Sequence, residues 1–224
     1  MTALTFFNDA AIVVGMKRRV AGTPMVRKGE RTRQRIVREA ADIFNVHGFA
    51  GTSVADVSLA TGLEKGSVYN HFESKDALAL AAFDYAAAIV LDRVRAAMHA
   101  QPRGVAQVRA LLDLYGGVGE APLVRGGCPI LNTAVEADDT HPALRERTRA
   151  AMDGWLELVT AALEDAISAG ELRGETNAGA VAATLVGALE GGILLARLYG
   201  DAARLRAVTE QLSMFIDSLR TRSR

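Results

Sequence analysis

Within residues 52–75, TSVADVSLATGLEKGSVYNHFESK, the chain gathers side chains suited to holding a polyanion. Lys65 can meet a phosphate or the acceptor edge of a guanine, and Ser67 and Asn70 can hydrogen-bond base edges. Gly66 has no side chain to block a close backbone approach. Thr52, Tyr69, His71 and Lys75 suit phosphate contacts, which fix register without reading sequence, and Ser53 stands in the same set. Arg31, Arg33 and Arg35, upstream, add long-range attraction. The chemistry on offer is non-covalent recognition of double-stranded DNA.

Such residues are useful only on a helix held rigidly against a second one. Ser53 followed by Asp56 is a capping-box pattern, so a helix is expected to start there. Gly62 supplies the left-handed residue of a tight turn, and a second helix is expected over 65–71. Val54, Val57, Leu63, Val68 and Phe72 are the apolar positions that would lock the pair. Before it, residues 30–47 place Ile36, Ala40, Ile43, Phe44 and His47 on one helical face, with Gly48 as a stop. After it, Ser74 caps a long helix over 75–100, whose inward face holds Leu78, Ala82, Tyr85 or Ala86, Ile89 and Val94. A helical hairpin in an unrelated core, with a solvated polar face, would show the same local pattern.

Charge separates along the chain. Net charge is zero, yet residues 17–75 carry 11 basic and 6 acidic side chains, and residues 76–224 carry 15 basic and 19 acidic. A basic segment ahead of an acidic body implies that one part meets an anion. The lone Cys128 allows no internal disulfide and fits a reducing compartment, the cytoplasm. The most apolar run, 178–198, includes Glu190, Arg197 and four glycines, so it reads as a buried helix and not as a membrane span. No Ser/His/Asp order, HExxH, phosphate-binding loop or paired-cysteine motif points to an enzyme, and no cofactor or metal is expected. Glu136, Asp138, Asp139 and His141 read as a helix end and the cap of the next helix before they read as metal ligands.

The run from Arg31 to about Ala82 resembles the tetracycline-repressor (TetR) family of bacterial transcriptional regulators. The resemblance is carried by the 36–44 helix, His47-Gly48-Phe49, Thr52-Ser53-Val54, Asp56-Val57, Gly62-Leu63, Lys65-Gly66-Ser67, Tyr69, His71-Phe72 and residues 74–78. It implies an all-α fold of about nine helices: an N-terminal three-helix helix-turn-helix unit that binds an operator, and a helical C-terminal domain that dimerises and binds an effector. The division expected is an extension over 1–26, a DNA-binding domain over 27–74 and a sensing and dimerisation domain over 75–224. Repression relieved by a small molecule is the expected mode; activation, or a helical protein-interaction module, are the alternatives. Glu64 departs from the family's usual Ser or Thr and would repel a nearby phosphate.

Further helices are expected over 105–115, 129–137, 142–169, 178–199 and 202–220, separated by glycine and proline. On the 178–199 helix, Ala183, Gly187 and Gly191 form a row of small residues; on the last, Leu205, Val208, Leu212, Phe215 and Ile216 share an apolar face. In a family that dimerises through its final helix pair, these residues make the expected homodimer interface, over a near-palindromic operator with half-sites roughly 34–36 Å apart. Cys128 precedes Pro129 and so is expected at a helix N-cap near Arg125, a setting that can lower a thiol's pKa. It therefore reads either as a sensor, whose modification releases DNA, or as a small buried residue. Tyr115, Leu131, Met152 and Trp155 are the candidates to line an effector pocket beside it, with core packing as their plainer role.

Overall fold

A computed structural model describes residues 28–118 and 122–221; the expected extension over 1–26 lies outside them. The described residues form α1 (Lys28–Gly51), α2 (Val54–Thr61), α3 (Lys65–Tyr69), α4 (Lys75–His99), α5 (Val105–Val118), α6 (Pro129–Ala137), α7 (Pro142–Ser168), α8 (Ala178–Tyr199) and α9 (Ala203–Ser218). The fold is all-α, as expected, with one isolated bridge between Leu172 and Arg220 near the C-terminus.

Local signals account for most boundaries. The Ser53 hydroxyl accepts from Asp56 N–H while the Ser53 N–H donates to the Asp56 carboxylate, a complete capping box. These hydrogen bonds from Ser53 hold the Asp56 carboxyl below the usual carboxylate range. Gly62 ends α2 in the left-handed conformation at φ 64°, and the Ser74 hydroxyl accepts from Ala77 N–H to start α4. Gly48 breaks α1 where the helix stop was expected: at φ 77° and ψ 165° it leaves the helical conformation, and only a short separate turn follows it to Gly51.

α4 is the central strut. Its buried Ala79, Ala82, Ala86 and Ala87 let it approach neighbours closely, and Ala40 and Ala41 do the same on α1. Leu78, Val90, Val94 and Met98 continue the buried face, whereas Tyr85, one of two residues expected there, is exposed. α5, α6 and α7 pack around α4, and α8 lies between α7 and α9. By length and composition α8 could cross a membrane, but its inner face, including Glu190, is buried in the bundle.

Three residues expected at a subunit interface belong instead to the protomer's own core: Leu205, Leu212 and Ile216 are buried against it. The close α8–α9 crossing depends on Gly192, where a Cβ would stand 2.7 Å from Leu205 Cδ1. Trp155 is fully buried and stacks on Tyr115 with ring centroids 5.7 Å apart, so it is a core residue of the body.

Candidate nucleic-acid interface and internal cavity

The α2–α3 pair forms as the apolar positions require. Val54, Val57, Val68 and Phe72 are buried, and Leu63 is half-buried at the corner. The Arg35 guanidinium donates to the Thr61 carbonyl and ties α1 to the turn. Arg33 lies 4.8 Å from the Phe72 ring, a cation–π contact that fixes it on the same face.

Of the expected DNA-facing residues, Lys65, Gly66, Tyr69 and Asn70 are exposed together on α3 and its end, and Ser67 and His71 are half-buried. Tyr69 is 44% exposed, high for a large aromatic ring, and Lys65 Nζ lies 6.0 Å from its centroid. Ser53 is exposed, but its hydroxyl is engaged with Asp56. Lys75 packs its ammonium 4.1 Å from the Phe49 ring. Thr52 is a correction: it is only 2% exposed, its hydroxyl has no hydrogen-bond partner, and as it stands that hydroxyl faces the core and no phosphate. Glu64 sits at the N-cap of α3 without a side-chain cap bond.

The body holds a cavity of about 340 Å³, partly open to solvent at exposed Arg197 and Asp201, between α4, α5, the 122–128 loop, α8 and the start of α9. Tyr115 and Cys128 line it, as expected. Leu131, Met152 and Trp155 do not: Leu131 and Met152 pack half-buried on the core, and Trp155 stands behind Tyr115. The remaining walls come from residues that no motif marks, among them Val90, Leu123, Ile193 and Arg197.

Cys128 is the N-cap of α6, but its thiol makes no cap bond and is buried. Burial first, then the neighbouring Glu190, push the thiol's pKa up, which favours the small buried residue of the two readings. Tyr115 is pushed up as well, by burial first, then by Cys128 and then by Glu190. Glu190 is 4% exposed and neither carboxyl oxygen has a hydrogen-bond partner of good geometry. Burial raises its pKa to about 7, and a weak thiol contact from Cys128 opposes the rise without satisfying either oxygen.

Sequence comparison reports on both halves. A model of bacterial regulatory proteins of the tetR family matches residues 36–82, and one of the tetracyclin repressor-like C-terminal domain matches 104–212. The chain belongs to the TetR family of bacterial transcriptional regulators. It is 32% identical over 199 residues to an uncharacterised HTH-type transcriptional regulator of Mycobacterium tuberculosis, covering 86% of this chain and 98% of the relative. It is 25% identical over 162 residues to the HTH-type transcriptional repressor DhaR of a Mycobacterium species, covering 72% and 80%. A crystal structure of a TetR transcriptional regulator from Chloroflexus aurantiacus superposes with a TM-score of 0.83 at 44% identity, covering 86% of this chain and 98% of that one. A TetR-family regulator from Cytophaga hutchinsonii gives 0.81 at 36% identity, covering 89% and 100%. The protein is thus a DNA-binding transcriptional regulator.

How this TetR-family chain joins its reading unit to its body was not legible in any motif. At the Gly48 kink the N–H groups of Phe49 and Ala50 leave α1 and donate to the Glu136 carboxylate on α6, each at 2.8 Å. The Phe49 ring meets His141 edge-on at 4.7 Å, and His141 Nε2 lies 3.7 Å from the Asp76 carboxylate at the start of α4. His141 also caps α7 by accepting from Leu144 N–H. A second joint lies at the cavity wall. Asn45 on α1 donates to the carbonyls of Arg125 and Gly127, and Asn132 on α6 donates to the Asn45 side chain and to the Gly126 carbonyl. The only sequence signal for either joint is the helix-ending Gly48 and the Gly126-Gly127 pair, which mark bends without naming what they touch.

Proposed function

We propose that this regulator is a cytoplasmic, dimeric repressor that an effector entering the internal cavity releases from a near-palindromic operator. The observation that carries the reading is that one loop does two jobs. Residues 124 and 126–128 line the cavity, and the carbonyls of Arg125, Gly126 and Gly127 accept hydrogen bonds from Asn45 and Asn132. α4 supplies a second connection, since Val90 lines the cavity while its first turn holds Lys75 and Asp76 beside Phe49 and His141. A ligand that shifts this wall favours a pose of the reading unit different from the DNA-competent one, a change of population between two states. Couplings of this kind amount to about 1–3 kcal/mol, or about 5–150-fold in operator affinity.

The unit over 27–74 reads DNA in this proposal, with Lys65, Gly66, Ser67 and Asn70 toward bases and Tyr69, His71 and Lys75 toward phosphates. The body over 75–224 senses and dimerises. The dimer face is the outward side of α8, where exposed Ala183 and Gly187 and half-buried Gly191 run into exposed Leu194, Leu195 and Leu198. Nothing lies within 4 Å of a Cβ placed on Gly187 or Gly191, so a second helix has room to approach there. Half-buried Val208 and Phe215 and exposed Met214 extend the surface along α9. Burying such a stripe in a two-fold contact is what a dimer of this family supplies. No catalytic step is part of this reading.

The test is fluorescence anisotropy of the DNA upstream of the protein's own gene. Salt-sensitive binding is expected, with a loss of about tenfold or more in Tyr69→Ala and Lys75→Ala at fixed salt. Binding that neither substitution weakens would sink the assignment of the interface.

A further inference from the structure

The effector reading does not say which chemistry the cavity selects. Most of its wall is apolar, from Val90, Val118, Leu123, Val124, Ile193 and Leu205. Two charged side chains line it, Arg197 and Asp201. Asp201 is already engaged: it accepts from Ala203 N–H at 3.0 Å and faces the Arg204 guanidinium at 3.8 Å. Arg197 is different. Among the described residues it pairs with no carboxylate, and no acceptor takes a hydrogen bond from its guanidinium.

Shape alone holds Arg197 in place. Its guanidinium lies across Gly127, where a Cβ would stand 2.6 Å from Nη1 and 2.8 Å from Cδ. Gly127 has φ 95°, so the left-handed glycine is also the space in which the guanidinium rests. Tyr115 and Cys128 also line the cavity, and Glu190 adjoins Cys128 without being part of the lining. Glu190 and Arg197 are seven residues apart on α8, which is about 10 Å along the helix axis. The cavity wall therefore carries a permanent positive charge that pairs with no carboxylate among the described residues. Glu190, seven residues away and outside the lining, is a carboxyl that burial biases toward its neutral form. An organic cation would meet the unpaired guanidinium and gain from Glu190 only by ionising it in an apolar setting. An anion meets a vacant planar fork whose donors match two oxygens at once.

We propose that the cavity binds an organic monoanion with an apolar body, its carboxylate held by Arg197 and its body lying toward Tyr115. The inference rests on the effector reading for its consequence and on the cavity alone for its chemistry. It also gives the effector a lever. A carboxylate that draws Arg197 to itself moves the guanidinium off Gly127, and the Gly127 carbonyl is one of the two acceptors that hold Asn45 of α1.

The chain supplies its own reporter, because Trp155 is its single tryptophan and stacks on the cavity residue Tyr115. The full-length protein is titrated with octanoate, 1-octanol and octylammonium, three probes of equal chain length, while tryptophan emission is followed. Octanoate is expected to bind about tenfold or more tighter than either other probe. Arg197→Gln should bring octanoate to the level of octanol and leave the octanol constant unchanged. Arg197 is exposed, so the variant is expected to fold, and circular dichroism checks this. Asp201→Asn should leave the octanoate preference in place. Equal affinity for octanoate and octanol, a preference for octylammonium, an octanoate preference that survives Arg197→Gln, or no binding of any probe overturns the proposal. Operator release, read in parallel, separates the two claims. Octanoate bound through Arg197 without loss of DNA supports the ligand class and overturns the effector reading. Release by octanol or octylammonium alone keeps the effector reading and overturns the ligand class.

Discussion

Removing the carboxylate at position 136 should loosen the reading unit from the body while leaving each intact. Glu136 accepts two backbone N–H bonds, from Phe49 and Ala50, both at 2.8 Å. Gly48 makes this possible, since its φ of 77° with ψ of 165° is a conformation open in practice only to glycine, and it turns those N–H groups out of α1. A hydrogen bond to a charged group contributes about 1.5–3 kcal/mol when its donor is withdrawn from water. Phe49 N–H is half-buried and counts near the middle of that range; Ala50 N–H is exposed, and water replaces much of its partner. Glu136→Ala is therefore expected to cost about 2–3 kcal/mol, and Glu136→Gln, which keeps one acceptor, about half of that. For a chain of this length 1 kcal/mol moves the melting temperature by about 2–4 °C, so Glu136→Ala should lower it by about 4–12 °C. Hydrogen exchange gives the local readout: the Phe49 and Ala50 amides should lose protection while the Ser53–Asp56 cap and the 78–98 stretch of α4 keep theirs. Unchanged protection at Phe49 and Ala50, with a melting temperature within about 1 °C of the parent, would refute the reasoning.

Glu190 sets a pH dependence whose sign follows from its raised pKa. The folded protein keeps the proton up to about 7 whereas an unfolded chain releases it near 4.5, so stability is greatest below 4.5 and falls as pH rises to about 7. The span corresponds to roughly 3 kcal/mol; Glu190→Gln should flatten urea-derived stability between pH 5 and 7 and raise it at pH 8. At the outward face of α8, Leu198→Asp places a charge on a residue 71% exposed in the protomer; sedimentation should show monomers with the parent's helicity, and a persistent dimer would place the interface elsewhere. Cys128, buried with its pKa raised, should react with a disulfide reagent in the native protein about a hundredfold or more slowly than after denaturation; equal rates would restore the sensor reading.

The helices were legible where the chain writes its own boundaries. Ser53 with Asp56, Gly62 and Ser74 are signals between near neighbours, and each acts in the fold as its type and spacing predict. The same locality explains the errors. α9 shows an apolar stripe in sequence, but periodicity does not say whether the stripe meets its own body or a second chain; Leu205, Leu212 and Ile216 meet the body. Position 128 can be placed at a helix N-cap from Pro129, yet burial, set by α8 and its Glu190, decides the state of the thiol. Aromatic residues mark cores and cavities alike, so Tyr115 and Trp155 read the same in sequence while one lines the cavity and the other stands behind it. Glu136, Asn45 and Asn132 act across more than eighty residues of chain, and no local pattern announces them.

The Gly48–Glu136 joint has a consequence for how such a protein can diversify. The reading unit is gripped through its main chain at Phe49 and Ala50, so the grip is indifferent to which side chains α3 presents. The cavity is bounded by α4, α5, the 122–128 loop, α8 and the start of α9, none of which supplies that carboxylate. Substitutions on the outer face of α3 and substitutions of cavity side chains can therefore accumulate separately, so long as both main-chain joints persist, Gly48 with Glu136 and Asn45 with Asn132 at the 125–127 carbonyls.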